Sequence, residues 1–195
     1  IDINGETPTM IEVLGMPAGT RFIDGTGNLA VSTDGASVDL LGWDLDTLRV
    51  LPPTHFSGIV DLQVNFTTDH SADTDQILST RMTVAPLADQ AVLVVQSTAG
   101  QQGTEIPLSI QANLTDTDGS ESLTLEIADI PPGARLTDGN NVFQATQDAT
   151  KTSITDWNLS NLRIVPPNGS DADVALRVIA TTTENANGDV TSVEA

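Results

Sequence analysis

Three acid-bearing segments, far apart in the chain, carry the residue types that bind hard cations. One runs 116–121 (Asp-Thr-Asp-Gly-Ser-Glu), a second runs 184–189 (Glu-Asn-Ala-Asn-Gly-Asp), and the third is the stretch that ends at Asp89. Calcium takes roughly six to eight oxygen ligands from carboxylates, carbonyls and amides. If the fold unites these segments, the sequence predicts a calcium site formed by Asp89, Asp116, Asp118, Glu121, Glu184, Asn185 and Asp189.

A comparable set lies in the first half of the chain, where acids again stand in two separate segments. The predicted ligands of this second calcium site are Asp2, Asn4, Glu6, Asp69 and Asp73. The simpler alternative for both sets is that Asp-Gly and Asn-Gly pairs merely form turns while the acids stay solvated. The spacing at 116–119 does not fit an EF-hand loop, because its glycine follows the second Asp directly and no helices flank it.

Composition narrows the possible partners. The formal charge is −20, from 27 acids against seven bases, and such a surface repels nucleic acid and anionic membranes. Bound cations would relieve this charge, although adaptation to a saline habitat produces the same excess of acids. No apolar run approaches the roughly 18 residues that a membrane span needs. Cysteine is absent, which excludes disulfides, zinc–thiolate sites and cysteine nucleophiles.

An internal repeat organises the chain. At an offset of 114 residues, 16–21 (Met-Pro-Ala-Gly-Thr-Arg) overlies 130–135 (Ile-Pro-Pro-Gly-Ala-Arg), and 43–53 overlies 157–167, each beginning with Trp and ending in Pro-Pro. A repeat of this length has the size of a domain. We therefore expect two modules, 1–88 and 89–195. By the phase of the repeat, the first lacks its opening strands and the second ends inside its last strand, because the missing sequence lies outside this chain or because another chain supplies it.

Alternation of apolar and polar residues with a period of two predicts an all-β fold. In the second module the predicted strands are Ala91–Gln96, Ile106–Leu114, Leu123–Ile130, Ala134–Thr137, Val142–Ala145, Thr152–Asp156, Leu162–Val165, Val174–Thr183 and Val190–Val193. The only helix-like stretch is 157–162, and Trp43 and Trp157 are expected to anchor the cores. Short strands with turns at this spacing favour two tandem immunoglobulin- or cadherin-like Greek-key β-sandwich modules. In that topology the three acid segments meet where the linker enters the second module.

Several stretches of the second module resemble the cadherin-like, bacterial immunoglobulin-like extender repeats of giant RTX adhesins. They are 114–125 (Leu-Thr-Asp-Thr-Asp-Gly-Ser-Glu-Ser-Leu-Thr-Leu), 130–136, Trp157-x-Leu-x-x-Leu162, 181–189 and the linker 84–89. The resemblance covers the first module more loosely, since Ile3 and Thr7 stand where the second has Thr117 and Glu121.

The resemblance implies an extracellular protein on a bacterial surface, exported unfolded by type I secretion and anchored at the outer membrane through other regions. It would fold in external calcium and act as a stalk between neighbouring repeats, stiffened by the ion, that projects a distal ligand-binding region of unknown target in adhesion and biofilm formation. A chain without cysteine suits export in the unfolded state.

Two other functions compete with the stalk. One module could itself bind a carbohydrate or another surface ligand, in an adhesin or in an extracellular polysaccharide-degrading enzyme, but the chain has no Tyr and only two Trp. For a catalytic role the candidate residues are His55 and His70, and neither has a counterpart in the second module. With no recognisable nucleophile or phosphate-binding motif, the sequence predicts that the protein is not an enzyme.

Overall fold

The computed structural model describes residues 7–69, 76–101, 103–170 and 172–195. Throughout these ranges the protein is all-β, and the one helical element is a single 3-10 turn. The described residues include no helix that is long and apolar enough to span a membrane. The chain divides into two compact units, 1–86 and 87–195, called here the first and second unit.

The first unit is built from antiparallel strands in two sheets. Its strands are β1 (Pro8–Leu14), β2 (Arg21–Ile23), β3 (Leu29–Val31), β4 (Val38–Asp39), β5 (Arg49–Leu51), β6 (Gly58–Thr68) and β7 (Gln76–Val84). The sheet orders are β4-β1-β6-β7 and β3-β2-β5. Val13 and Val60 from the first sheet and Phe22 from the second are buried in one apolar core. Because both sheets contribute to that core, the unit has a sandwich-like arrangement.

The second unit repeats this plan with more strands. They are β8 (Val92–Gln96), β9 (Ile106–Pro107), β10 (Ser109–Asn113), β11 (Glu121–Ala128), β12 (Arg135–Thr137), β13 (Val142–Gln144), β14 (Thr152–Ser153), β15 (Arg163–Val165), β16 (Arg177–Glu184) and β17 (Val190–Glu194), with the 3-10 turn at Leu159–Asn161. The sheet orders are β14-β11-β16-β17, β13-β12-β15-β9 and β10-β8. Ile127 and Val178 from the first of these sheets share a core with Leu136 and Ile164 from the second.

Equivalent strands in the two units keep the same register. Val13 pairs with Val38 and Val64 in the first unit, and Ile127 pairs with Thr152 and Val178 in the second. The 114-residue offset between equivalent strand partners changes at one place by one residue. Arg21 pairs with Val31, whereas the equivalent Arg135 pairs with Gln144, one residue short of the position equivalent to Val31. The turn before β3 is therefore one residue longer than the turn before β13, and the following loop compensates for it.

The predicted strand Ile106–Leu114 is divided in the structure. β9 pairs with β15 in one sheet, while β10 pairs with β8 in another. Proline has no N–H to donate to a ladder, and the division falls directly after Pro107, at Leu108, whose N–H donates to Leu162 O over 2.9 Å. The predicted strand Val174–Thr183 is also shorter, since β16 begins at Arg177.

Both tryptophans pack at the edge of their cores rather than at the centre. Trp43 and Trp157 are partly buried against the cores of the first and second units. Within the predicted helical stretch 157–162, the side chain of Asn158 caps the 3-10 turn by accepting from Ser160 N. The buried apolar positions of the described cores are filled by aliphatic residues, Met16 and Phe22.

Candidate metal site

Two glutamates face each other at one end of the second unit. Glu121, the first residue of β11, is the register partner of Glu184, the last residue of β16. Glu121 is 7% exposed and Glu184 is 2% exposed. Directly opposed like charges destabilise a strand pair, and burial strengthens their repulsion because water no longer screens it. The fold therefore holds two carboxylates together that would repel each other as free ions.

No basic side chain of this unit neutralises the pair. Its four bases are Arg135, Lys151, Arg163 and Arg177. Arg135 and Arg163 contact Glu105, Lys151 contacts Glu126, and Arg177 contacts Asp129 and Glu194. Every arginine and lysine of the second unit is thus engaged away from Glu121 and Glu184.

The linker residues join the same end of the unit. Asp89 N–H donates to Glu121 Oε1, and Ala88 N–H donates to Asp189 Oδ2 over 2.9 Å. One carboxylate oxygen of Asp89 and one of Asp116 lie within 4.8 Å of each other. The linker, the 116–121 loop and the 184–189 hairpin, which the sequence places far apart, therefore converge.

Backbone hydrogen bonds fix the shape of the 116–121 loop. Asp118 N–H donates to Asp116 Oδ1 over 2.9 Å, and Ser120 N–H donates to Asp118 Oδ1 over 2.7 Å. Gly119 has a φ of +93°, a left-handed conformation that glycine adopts without strain. Asp116 is 7% exposed, so the turn carries a third buried carboxylate of the second unit.

The 184–189 hairpin is tied to this loop. Asn185 N–H donates to Ser120 O over 2.9 Å, and Glu184 N–H donates to Asp189 O over 2.8 Å. Ala186 N–H donates to Glu184 Oε1 over 3.0 Å. All seven residues predicted for this site thus belong to one connected group of segments.

One atom of the group has no hydrogen-bond partner among the described residues. Glu121 Oε2 is buried and accepts no hydrogen bond from the residues that the structure describes, whereas Oε1 of the same carboxylate accepts from Asp89 N–H. An unsatisfied buried acceptor is costly, and more so when it carries charge. A carboxylate oxygen can only accept, so the missing partner is a cation or a proton donor. The surrounding set of carboxylate, amide and carbonyl oxygens matches the preference of a hard cation such as calcium.

The predicted site in the first unit is only partly described. Asp2, Asn4, Glu6 and Asp73 lie outside the described residues. Asp69 Oδ1 accepts from Thr7 N–H over 3.1 Å, and Asp69 N–H donates to Thr7 O over 3.0 Å. These two bonds join the ends of β1 and β6, and the role of Asp69 as a metal ligand stays a prediction.

Two other buried acids, Asp24 and Asp138, were not predicted as functional residues from the sequence; they are 4% and 3% exposed. The Asp138 carboxylate accepts hydrogen bonds from the backbone N–H groups of Asn141, Asn158 and Asn140 and from the side-chain amide of Asn141. These bonds hold the pKa of Asp138 far below its ordinary value, although burial acts in the opposite direction. Burial raises the pKa of Asp24, but hydrogen bonds from Asp44 N and from residues 26 and 28 outweigh it, so the net shift is downward.

These two acids occupy equivalent positions 114 residues apart. Asp24 lies in the turn after β2 and accepts a hydrogen bond from the backbone N–H of Asp44, the residue after Trp43. Asp138 lies in the turn after β12 and accepts the equivalent bond from Asn158, the residue after Trp157. Because their oxygens are fully engaged with N–H and O–H donors, they serve as turn centres rather than as metal ligands. The available signal was the Asp-Gly pair followed by Asn three or four residues after the Asp in each module.

Comparison with known proteins identifies no family. No protein-family model matches the chain, and a search of curated proteins finds no significant match.

Proposed function

We propose that this chain is a calcium-stabilised extender segment of a large bacterial surface adhesin, with modules of the immunoglobulin- or cadherin-like type. The observation that carries the proposal is the buried Glu121 Oε2, which has no hydrogen-bond partner among the described residues and opposes Glu184. The arginines and the lysine of the second unit form their ion pairs elsewhere. Two further features support the extender role: equivalent strands of the two units pair in matching register, and the sequence motifs resemble the extender repeats of RTX adhesins.

The proposed ligands come from the three converging segments. Asp89, Asp116, Glu121 and Glu184 supply carboxylates, and residues 185 and 189 supply further oxygens from the hairpin. A bound calcium ion supplies the positive charge that this end of the unit lacks. The chain's own residues do the positioning, because β11 and β16 fix the two glutamates and backbone hydrogen bonds fix the 116–121 turn.

Calcium would couple folding to the environment. Where calcium is scarce, repulsion among the carboxylates disfavours the folded unit, and where it is abundant, binding to the folded state alone stabilises that state by mass action. Calcium would stabilise the linker residues together with the site, since Ala88 N–H donates to Asp189 and Asp89 N–H donates to Glu121. A stalk that is secreted unfolded and folds outside the cell needs this behaviour.

The metal part of the proposal is tested on the full chain by calorimetric titration and thermal unfolding, with calcium and with a chelator. At calcium 100 times above its Kd we expect a stabilisation of about 2.7 kcal/mol. Amide exchange should slow at Ala88 and Asp89, the two linker donors to the site. Equal melting temperatures and equal exchange in calcium and chelator would rule out a stabilising calcium site.

The extender role is tested by pulling the full chain in a single-molecule force experiment. Calcium should raise the unfolding force of the event assigned to the second unit, because the ion joins β11, β16 and the linker. A glycan array probed with the same protein tests the competing function. Specific glycan binding with no effect of calcium on the unfolding force would favour a ligand-binding module instead.

A further inference from the structure

Two buried side-chain oxygens of the second unit have no hydrogen-bond partner among the described residues. One is Glu121 Oε2 of the candidate site, and the other is Oγ1 of Thr182, a residue of β16 that is 0% exposed. A threonine hydroxyl can both donate and accept. A buried hydroxyl that does neither destabilises the fold relative to an apolar side chain of the same shape. Valine has that shape, so the hydroxyl at position 182 needs a reason.

The alternation of β16 places Thr182 on the same face as Glu184. Every second residue of the strand is buried, in the order Val178, Ala180, Thr182 and Glu184, and the residues between them are less buried. These inward positions change from apolar to polar toward the end of the strand that carries the candidate site. Residues two apart on one face of a strand are separated by about 7 Å. Thr182 is therefore the nearest inward neighbour of Glu184 on its own strand.

Strand pairing fixes the position of Thr182 relative to Glu121. Thr182 lies opposite Leu123 of β11, and Glu184 lies opposite Glu121. Thr182 and Glu121 are therefore diagonal neighbours across the two strands. Such neighbours lie about 7–8 Å apart and are still within reach of a long side chain. The two oxygens without partners thus belong to adjacent positions of one sheet face, rather than to separate parts of the core.

The length of the threonine side chain decides how it can serve a cation. Its hydroxyl stays close to the backbone of β16, whereas the longer carboxylates of Glu121 and Glu184 extend from the ends of their strands. Calcium binds water as well as protein oxygens among its roughly six to eight ligands. A buried water joins polar groups that lie too far apart for a direct contact. A water on the ion would therefore reach a hydroxyl that the ion itself does not.

We propose that Thr182 is a positioning residue of the calcium site: its hydroxyl accepts a hydrogen bond from a water molecule that ligates the ion bound by Glu121 and Glu184. This inference rests on the proposed function and deepens it. It adds a residue that lies outside the three acid-bearing segments. Groups that orient the ligands of a metal in this way contribute to its affinity although they do not touch it.

The first test titrates calcium chloride into the full chain and into two variants at position 182, with thermal unfolding in chelator alongside. Thr182→Val should melt higher without calcium, because the hydroxyl without a partner is gone, yet its calcium affinity should fall about tenfold or more. Thr182→Ser should melt lower, because a buried methyl group is lost, yet it should keep the calcium affinity of the parent chain. Thr183→Val is the control, because its side chain lies half-buried on the opposite face of β16.

The second test replaces calcium with terbium and compares luminescence decay in H₂O and D₂O, which counts the waters bound to the ion. We expect one fewer bound water in Thr182→Val than in the parent chain and in Thr183→Val. An equal count would overturn the proposal, and so would a higher count, since the hydroxyl would then itself be the ligand. A parent chain that binds calcium no more tightly than Thr182→Val would remove Thr182 from the site and leave the proposed function intact. A parent chain that binds no calcium would overturn both.

Discussion

Glu121 and Glu184 are the pair of residues on which the proposed calcium site depends. They are held opposite each other by the register of β11 and β16, and one oxygen of Glu121 has no partner among the described residues. In most strand pairs two buried acids at this position would be replaced or neutralised. Their presence is explained if a cation is part of the folded unit.

At the residue scale, Glu121→Gln should separate two effects of the Glu121 carboxylate, its repulsion of Glu184 and its contribution to calcium binding. Without calcium the variant should melt higher than the parent chain, because one of the two opposed charges is removed. Its calcium affinity should fall on the order of tenfold or more, since ligand charge governs affinity. Thermal unfolding with and without chelator measures both effects. Asp148→Asn, an equal charge change at an exposed position, should change neither; an Asp148 effect of the same size would indicate a general charge effect.

Asp138→Asn should lower the melting temperature near neutral pH, because the carboxylate accepts four hydrogen bonds and the amide cannot accept all of them. The folded pKa of Asp138 is lowered, so its contribution is complete above the ordinary carboxyl pKa and is lost as the pH falls from there toward the folded pKa. The difference between parent and variant should therefore shrink below about pH 4. A difference that grows on acidification would contradict this assignment.

At the scale of elements, the end of β1 depends on a residue without a side chain. Gly15 has a φ of +86°, and a Cβ there would overlap the carbonyl oxygen of Asp61. Gly27 has a φ of +98° but no heavy atom close enough to meet a Cβ. Gly27→Ala should therefore cost about 1–2 kcal/mol from conformation alone, and Gly15→Ala should cost clearly more. Chemical denaturation of both variants measures the difference, and equal losses would show that the overlap at Gly15 relaxes freely.

Strand predictions succeeded where alternation alone defines an element and failed where tertiary pairing divides one. β8, β12, β13 and β17 begin within one residue of their predicted starts. The division of the predicted strand Ile106–Leu114 depends on which neighbours each half meets, β15 for β9 and β8 for β10. Pro107 was visible in the sequence, but the two partner strands were not.

At the scale of the whole molecule, the charge of −20 makes folding sensitive to ions in two distinguishable ways. Monovalent salt should raise the melting temperature of the calcium-free protein gradually, because screening acts over about 8–10 Å at physiological ionic strength. Calcium should act at far lower concentration and mainly on the second unit. Magnesium should be the weaker substitute, since it retains its waters and demands octahedral geometry. If calcium and magnesium acted equally and only at the concentrations needed for sodium, screening would account for the whole effect.

The sequence by itself determined the all-β class, because strand alternation is local, and the repeat, because matching residues recur at a fixed offset. It also identified the acids of the candidate site by residue type. Only the tertiary structure decided that Glu121 faces Glu184, that Glu121 Oε2 is buried with no partner among the described residues, and that Asp138 is a turn centre. These features depend on contacts between residues distant in the chain, and local patterns carry no record of which distant groups will be brought together.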